Sequence, residues 1–99
     1  METKCHLDKV INVIGGKWKL QIIWNIYVFK VIRYNELKRN VNGITNMMLS
    51  KSLKELEHNK IITRKQYEEI PPRVEYSLTS NGLELLTVLK ELEKWGAKQ

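Results

Sequence analysis

The segment Arg33–His58, "RYNELKRNVNGITNMMLSKSLKELEH", falls into two helical stretches around a turn, and its reading decides the fold. "RYNELKRN" (33–40) makes a short helix with Leu37 inward. In "NVNGI" the pair Asn42-Gly43 tolerates the positive φ of a tight interhelical turn. Thr45 carries the side-chain oxygen that caps a following helix, which runs to about His58. On that helix Leu49, Leu53 and Leu56 form one stripe. At helical pitch, Met47, Lys51, Lys54 and His58 fall on roughly the opposite side. The arrangement is helix–turn–helix.

Outward from there the periodicity changes. After Asn59, "IITRKQYEEI" and "RVEYSL" are β-branched and alternating, and Pro71-Pro72 sit between them, as the strands and tip of a two-stranded hairpin. Proline is tolerated at the tip because no ladder N–H is required there. Thr79 caps a last helix from about Ser80 to Lys98. Asn81-Gly82 resembles a hairpin turn, but a leucine-rich helical pattern follows it, not a strand. Upstream, Leu7, Val10, Ile11 and Ile14 line one face of a short helix that Gly15-Gly16 ends. A second helix, roughly Lys17 to Phe29, is apolar around much of its circumference and belongs in the centre. The order is helix, helix, helix–turn–helix, hairpin, helix. That is a winged helix: mainly α with a small β-hairpin (α+β), one domain over residues 1–99.

The 17 basic and 11 acidic residues give a formal net charge of +6, which favours a polyanionic partner such as nucleic acid. A single cysteine, Cys5, precludes an intramolecular disulfide framework and suits a reducing cytoplasm. The opening "METKCHLDKV" has no apolar h-region, and the longest apolar run, "IIWNIYVF" (22–29), is too short to span a bilayer. A cytoplasmic protein with no membrane partner is expected. Enzymatic chemistry finds no support: His6 and His58 are isolated, and P-loop, GxGxxG and GxSxG motifs are missing. Glu68, Glu69 and Glu75 on the hairpin read as solvated carboxylates. No catalytic residue, metal or cofactor is expected.

An α-helix fits the major groove of duplex DNA, with N-terminal side chains at base edges and lysines at phosphates. On the helix after the turn, Asn46 suits adenine, Thr45 and Ser50 suit bases or phosphate, and Lys51 and Lys54 suit phosphates. Of the two methionines, Met47 faces outward, where it suits a thymine methyl, and Met48 is expected to pack inward. Arg33, Lys38, Arg39 and Asn42 surround the turn where the preceding helix crosses the phosphate backbone. Arg73 is expected to be held out as a cation on the wing, reaching the minor groove or its flanking backbone. The last helix carries more apolar surface than one face of a small domain covers. Leu85, Val88, Leu89, Leu92 and Trp95, joined by Leu7, Val10 and Ile11 of the first helix, are expected to form a homodimer interface. Two copies then meet a palindrome. The alternative is a winged-helix protein-interaction module without specific DNA binding.

Several blocks carry a family resemblance: "IGGKW" (14–18), "YNELKRNVNGIT" (34–45), "MLSKSLKELE" (48–57), "RKQY" (64–67) and "IPPRVEYSLTSNG" (70–82). Together they resemble the HxlR-type winged-helix regulators, relatives of the MarR group, over nearly the whole chain. The resemblance implies a dimeric bacterial DNA-binding transcription regulator, repressor or activator. Three positions depart from the family pattern. Met47 stands where a basic residue is usual, and His6 replaces a proline. Lys60 stands where glycine is usual, which puts the positive-φ helix cap on Asn59 or on a strained residue. In some relatives the cysteine matching Cys5 senses oxidants or electrophiles, and here Lys4, His6 and Lys9 are placed to stabilise a thiolate. The alternative is an unreactive cysteine beside the dimer helices.

Overall fold

The computed structural model describes residues 5–99. Five helices and three strands follow in the order α1 (Leu7–Ile14), α2 (Lys19–Phe29), β1 (Ile32–Arg33), α3 (Tyr34–Asn40), α4 (Asn46–His58), β2 (Ile62–Tyr67), β3 (Arg73–Leu78) and α5 (Ser80–Ala97). The winged helix is the observed architecture. Lys4, one of the basic neighbours expected for Cys5, lies outside the described residues.

The core forms around α2, whose Ile22, Ile23 and Ile26 are wholly buried against Ile32, Leu37, Leu49 and Leu56. Burying each such side chain stabilises the fold by roughly 1.5–3 kcal/mol before the entropy of ordering it is counted. Lys19, at the start of α2, is nearly buried and lies 3.6 Å from the Glu55 carboxylate of α4, tying the two helices together.

The expected hairpin is present as β2 and β3, and a short strand β1 joins it. The sheet has three antiparallel strands in the order β1-β3-β2. Ile32 and Arg33 pair with Tyr76 and Glu75, while Lys65 meets Glu75 from the other side. Two residues cannot announce a strand by periodicity, because only the partner across the ladder makes them one.

Helix ends follow local chemistry. Gly43 takes φ 87° in the α3–α4 turn. Thr45 Oγ1 accepts from the Met48 N–H at 3.1 Å and caps α4. Thr79 caps α5, its Oγ1 accepting from the Gly82 N–H at 3.0 Å and donating to the Lys60 carbonyl at 2.6 Å. The positive-φ cap of α4 falls on the second of the two expected alternatives, a strained non-glycine residue. Asn59 stays at φ −84° and Lys60 takes φ 61°. Lys60 N–H donates to the Glu57 carbonyl and Ile61 N–H to the Leu56 carbonyl, both at 3.0 Å. That hydrogen-bond pair is a Schellman termination, whose left-handed position falls one residue beyond Asn59. The contact between Ile61 and Leu56, both buried, decides the register of the cap.

Candidate nucleic-acid interface

With Leu49, Leu53 and Leu56 buried, α4 can present only its other face to solvent. Asn46, Met47, Lys51 and Lys54 are exposed there, and Met47 keeps 79% of its surface. Met48 turns inward against the core, as expected. Ser50 is half-buried between the outer face and the body.

Tyr34, which sequence reasoning passed over, organises the start of this face. Its hydroxyl lies 3.2 Å from each of the Asn46 carbonyl, Asn46 Oδ1 and Ser50 Oγ. The tyrosine begins α3, so the contact fixes the N-terminal turn of α4 against the preceding helix. Among the described residues, the Asn46 amide nitrogen takes no hydrogen-bond partner, leaving its donors turned to solvent. Nothing in the sequence pairs Tyr34 with Asn46 until the turn between them is folded.

Around the turn, Arg33, Arg39 and Asn42 are exposed and Lys38 is half-buried. Arg33 caps α3, its backbone N–H donating to Glu36 Oε1 at 3.2 Å while its side chain stays outside. These side chains lie at the cap of α3, on α3 and in the turn that leads into α4.

The wing departs from expectation. Pro71 and Pro72 do lie exposed at the tip beside a fully exposed Ile70, and the Ile70–Pro71 bond is cis. Arg73 is not a free cation. Its guanidinium lies 3.2 Å from Glu69 and 3.5 Å from Glu75, and stacks 4.0 Å above the Tyr67 ring. Tyr67 and Arg73 are paired across β2 and β3, and Glu75 is two residues along the same face, so the strand register itself brings the acid and the ring to the arginine. Glu69 and Glu75 are ion-pair partners of Arg73, and Glu69 remains exposed to solvent as expected.

The apolar surface divides differently from expectation as well. Leu7, Val10, Ile11, Val88, Leu92 and Trp95 are exposed, with Trp95 at 62%. Leu89 is a correction: at 5% exposure it belongs to the chain's own core, and Leu85 packs partly against that core. From Lys90 onward every residue of α5 is exposed. Cys5 is exposed immediately ahead of α1. No helix among the described residues is long and apolar enough to cross a membrane.

A helix–turn–helix with a basic outer face, completed by a hairpin wing, defines a winged-helix DNA-binding regulator. Comparison with known proteins gives the family. A profile of the HxlR-like helix-turn-helix family matches residues 13–99, and the chain belongs to that family. An uncharacterised HTH-type transcriptional regulator of Halalkalibacterium halodurans is 48% identical over 88 residues, covering 89% of this chain and 78% of the relative. Among solved structures, the oxidised redox regulator HypR aligns with TM-score 0.89 at 37% identity, covering 96% of this chain and 97% of that one. Its reduced form aligns with the same TM-score at 36% identity, over 95% and 92%. The protein is a helix-turn-helix transcriptional regulator, not an enzyme.

Proposed function

We propose that this chain regulates transcription as a homodimer on a palindromic duplex site, with α4 of each copy in the major groove of one half-site. The observation that carries the reading is the outer face of α4: amide, methionine and two lysines in sequence along it, on a helix immobilised from behind by buried leucines and at its start by Tyr34. Asn46 and Met47 face base edges, and Ser50 lies at the rim beside them. Lys51 and Lys54 meet phosphates, and Thr45 sets the N-terminal turn that approaches the groove. Arg33, Lys38 and Arg39 hold the backbone beside α3. Arg73 orders the wing.

The exposed Leu7, Val10, Ile11, Val88, Leu92 and Trp95, with Leu85 at their edge, support self-association through α1 and α5. A two-fold axis through that surface sets two α4 helices about 34 Å apart, one helical turn of DNA. The cytoplasm, where DNA and a reduced thiol coexist, is the setting this reading requires. The likeness to HypR and the exposed Cys5 at the edge of the same surface support a thiol response in which oxidation changes how two copies pack.

Titrating the protein with its own upstream DNA and with random duplex, over a salt series, tests the reading. Specific binding weakens steeply with salt, and Lys51→Glu loses affinity for both duplexes. Failure to bind any duplex at low salt, or a Lys51→Glu variant that binds as the wild type does, contradicts it. A mild oxidant shifts wild-type binding and leaves Cys5→Ser unchanged; equal shifts in both remove Cys5 from the mechanism.

A further inference from the structure

A helix in a major groove and a wing at the adjoining minor groove straddle one sugar–phosphate strand, because that strand is the wall between the two grooves. Whatever lies between α4 and β2 must therefore sit against DNA backbone. In this chain that space is a cleft of about 380 Å³ lined by Ser50, Leu53, Lys54, Glu57, Arg64 and Tyr76. Its floor is the buried Leu53 and Tyr76, and its walls bring one exposed cation from each element, Lys54 from α4 and Arg64 from β2.

Arg64 differs from Arg73 in what occupies it. Arg64 donates from Nη2 to Gln66 Oε1 at 3.2 Å and lies against the Tyr76 hydroxyl, both neutral partners, and among the described residues it is in no ion pair. Arg73 is held by two carboxylates and a tyrosine ring. The difference is one of charge: Arg73 already faces two carboxylates, although its buried Nε takes no hydrogen bond, whereas the Arg64 guanidinium faces only neutral partners and keeps its charge for a phosphate. Glu57 is the single carboxylate on the cleft, so Lys54 and Arg64 leave it with one net positive charge. Burial raises the Tyr76 phenol above its ordinary value while the neighbouring Arg64 opposes that rise, so Tyr76 adds no charge of its own.

We propose that the α4–β2 cleft seats one backbone phosphate of the bound duplex, gripped by Lys54 and Arg64, while Arg73 stays in its carboxylate clasp as an internal brace of the wing. The proposal rests on the DNA-binding reading above and assigns the wing's phosphate contact to Arg64.

The experiment is a salt series of binding to random-sequence duplex, followed by fluorescence anisotropy, for wild type and the variants Arg64→Gln, Arg64→Lys, Glu57→Gln and Arg73→Gln. Arg64→Gln lowers affinity about tenfold at low salt and reduces the log–log salt slope by about one, equally for random and preferred sequence. Arg64→Lys keeps the slope, which separates lost charge from a damaged fold. Glu57→Gln binds more tightly, since it removes the one repelling charge. Arg73→Gln leaves the slope unchanged while lowering the melting temperature. A wild-type slope retained in Arg64→Gln but reduced in Arg73→Gln overturns the assignment with DNA binding intact. A wild type that binds no duplex at low salt removes the DNA reading and this site together.

Discussion

Lys60 shows how one residue's conformation is set by its neighbours' burial. It holds φ 61° so that Ile61 can fold back over Leu56 at the end of α4. A side chain in that region costs about 1 kcal/mol relative to glycine. Lys60→Gly is therefore expected to raise stability by about 0.5–1 kcal/mol in urea unfolding, and an unchanged or lower midpoint would count against the cap described. Sequence leaves the choice between Asn59 and a strained residue, and the buried pair Leu56 and Ile61 decides it in favour of Lys60. Arg73 teaches a related lesson. Its composition and place at the tip were legible, but its partners were not, because Glu75 and Tyr67 reach it only once the β2–β3 register exists. Thr45 was legible in both position and role, since a cap acts within one helical turn.

At the scale of elements, α5 docks by its first turn. A Cβ at Gly82 would collide with the Ile61 carbonyl, the same carbonyl that accepts from the Thr79 N–H at 3.0 Å. The blocking atom is a backbone carbonyl, which cannot swing aside as a side chain does, so Gly82→Ala is expected to destabilise the protein by about 1–3 kcal/mol, measured by thermal or urea unfolding. A neutral result would mean that α5 does not approach the α4–β2 corner this closely. The long elements α2, α4 and α5 were readable because their signals repeat: apolar spacing inside, caps outside. β1 was not, since Ile32-Arg33 exists as a strand only by pairing with β3. Leu89 was misassigned for a similar reason. α5 is apolar on more than one face, and which face turns inward is a property of the packed domain, not of the helix.

The whole molecule measures 59 × 31 × 24 Å, elongated for its chain length, and the last turns of α5 leave Leu92 and Trp95 without cover. Exposed apolar surface of that kind on a helix end supports the association proposed above. On the proposed self-association, the wild type sediments as a dimer and Leu92→Glu with Trp95→Glu as a monomer, with helix content retained and affinity for a two-half-site duplex reduced at least about tenfold. A double variant that sediments and binds as the wild type does would place the interface elsewhere. The basic side of the molecule, from Arg33 and Arg39 across Lys51 and Lys54 to Arg64, would then face DNA as one surface repeated by the two-fold axis. The measurement that tests this most directly is a hydroxyl-radical footprint of the wild-type protein on its own upstream DNA. The account predicts two protected segments on one face of the duplex, centred about 10 base pairs apart and related by a palindrome. Uniform protection without a boundary, or none at low salt, would contradict it.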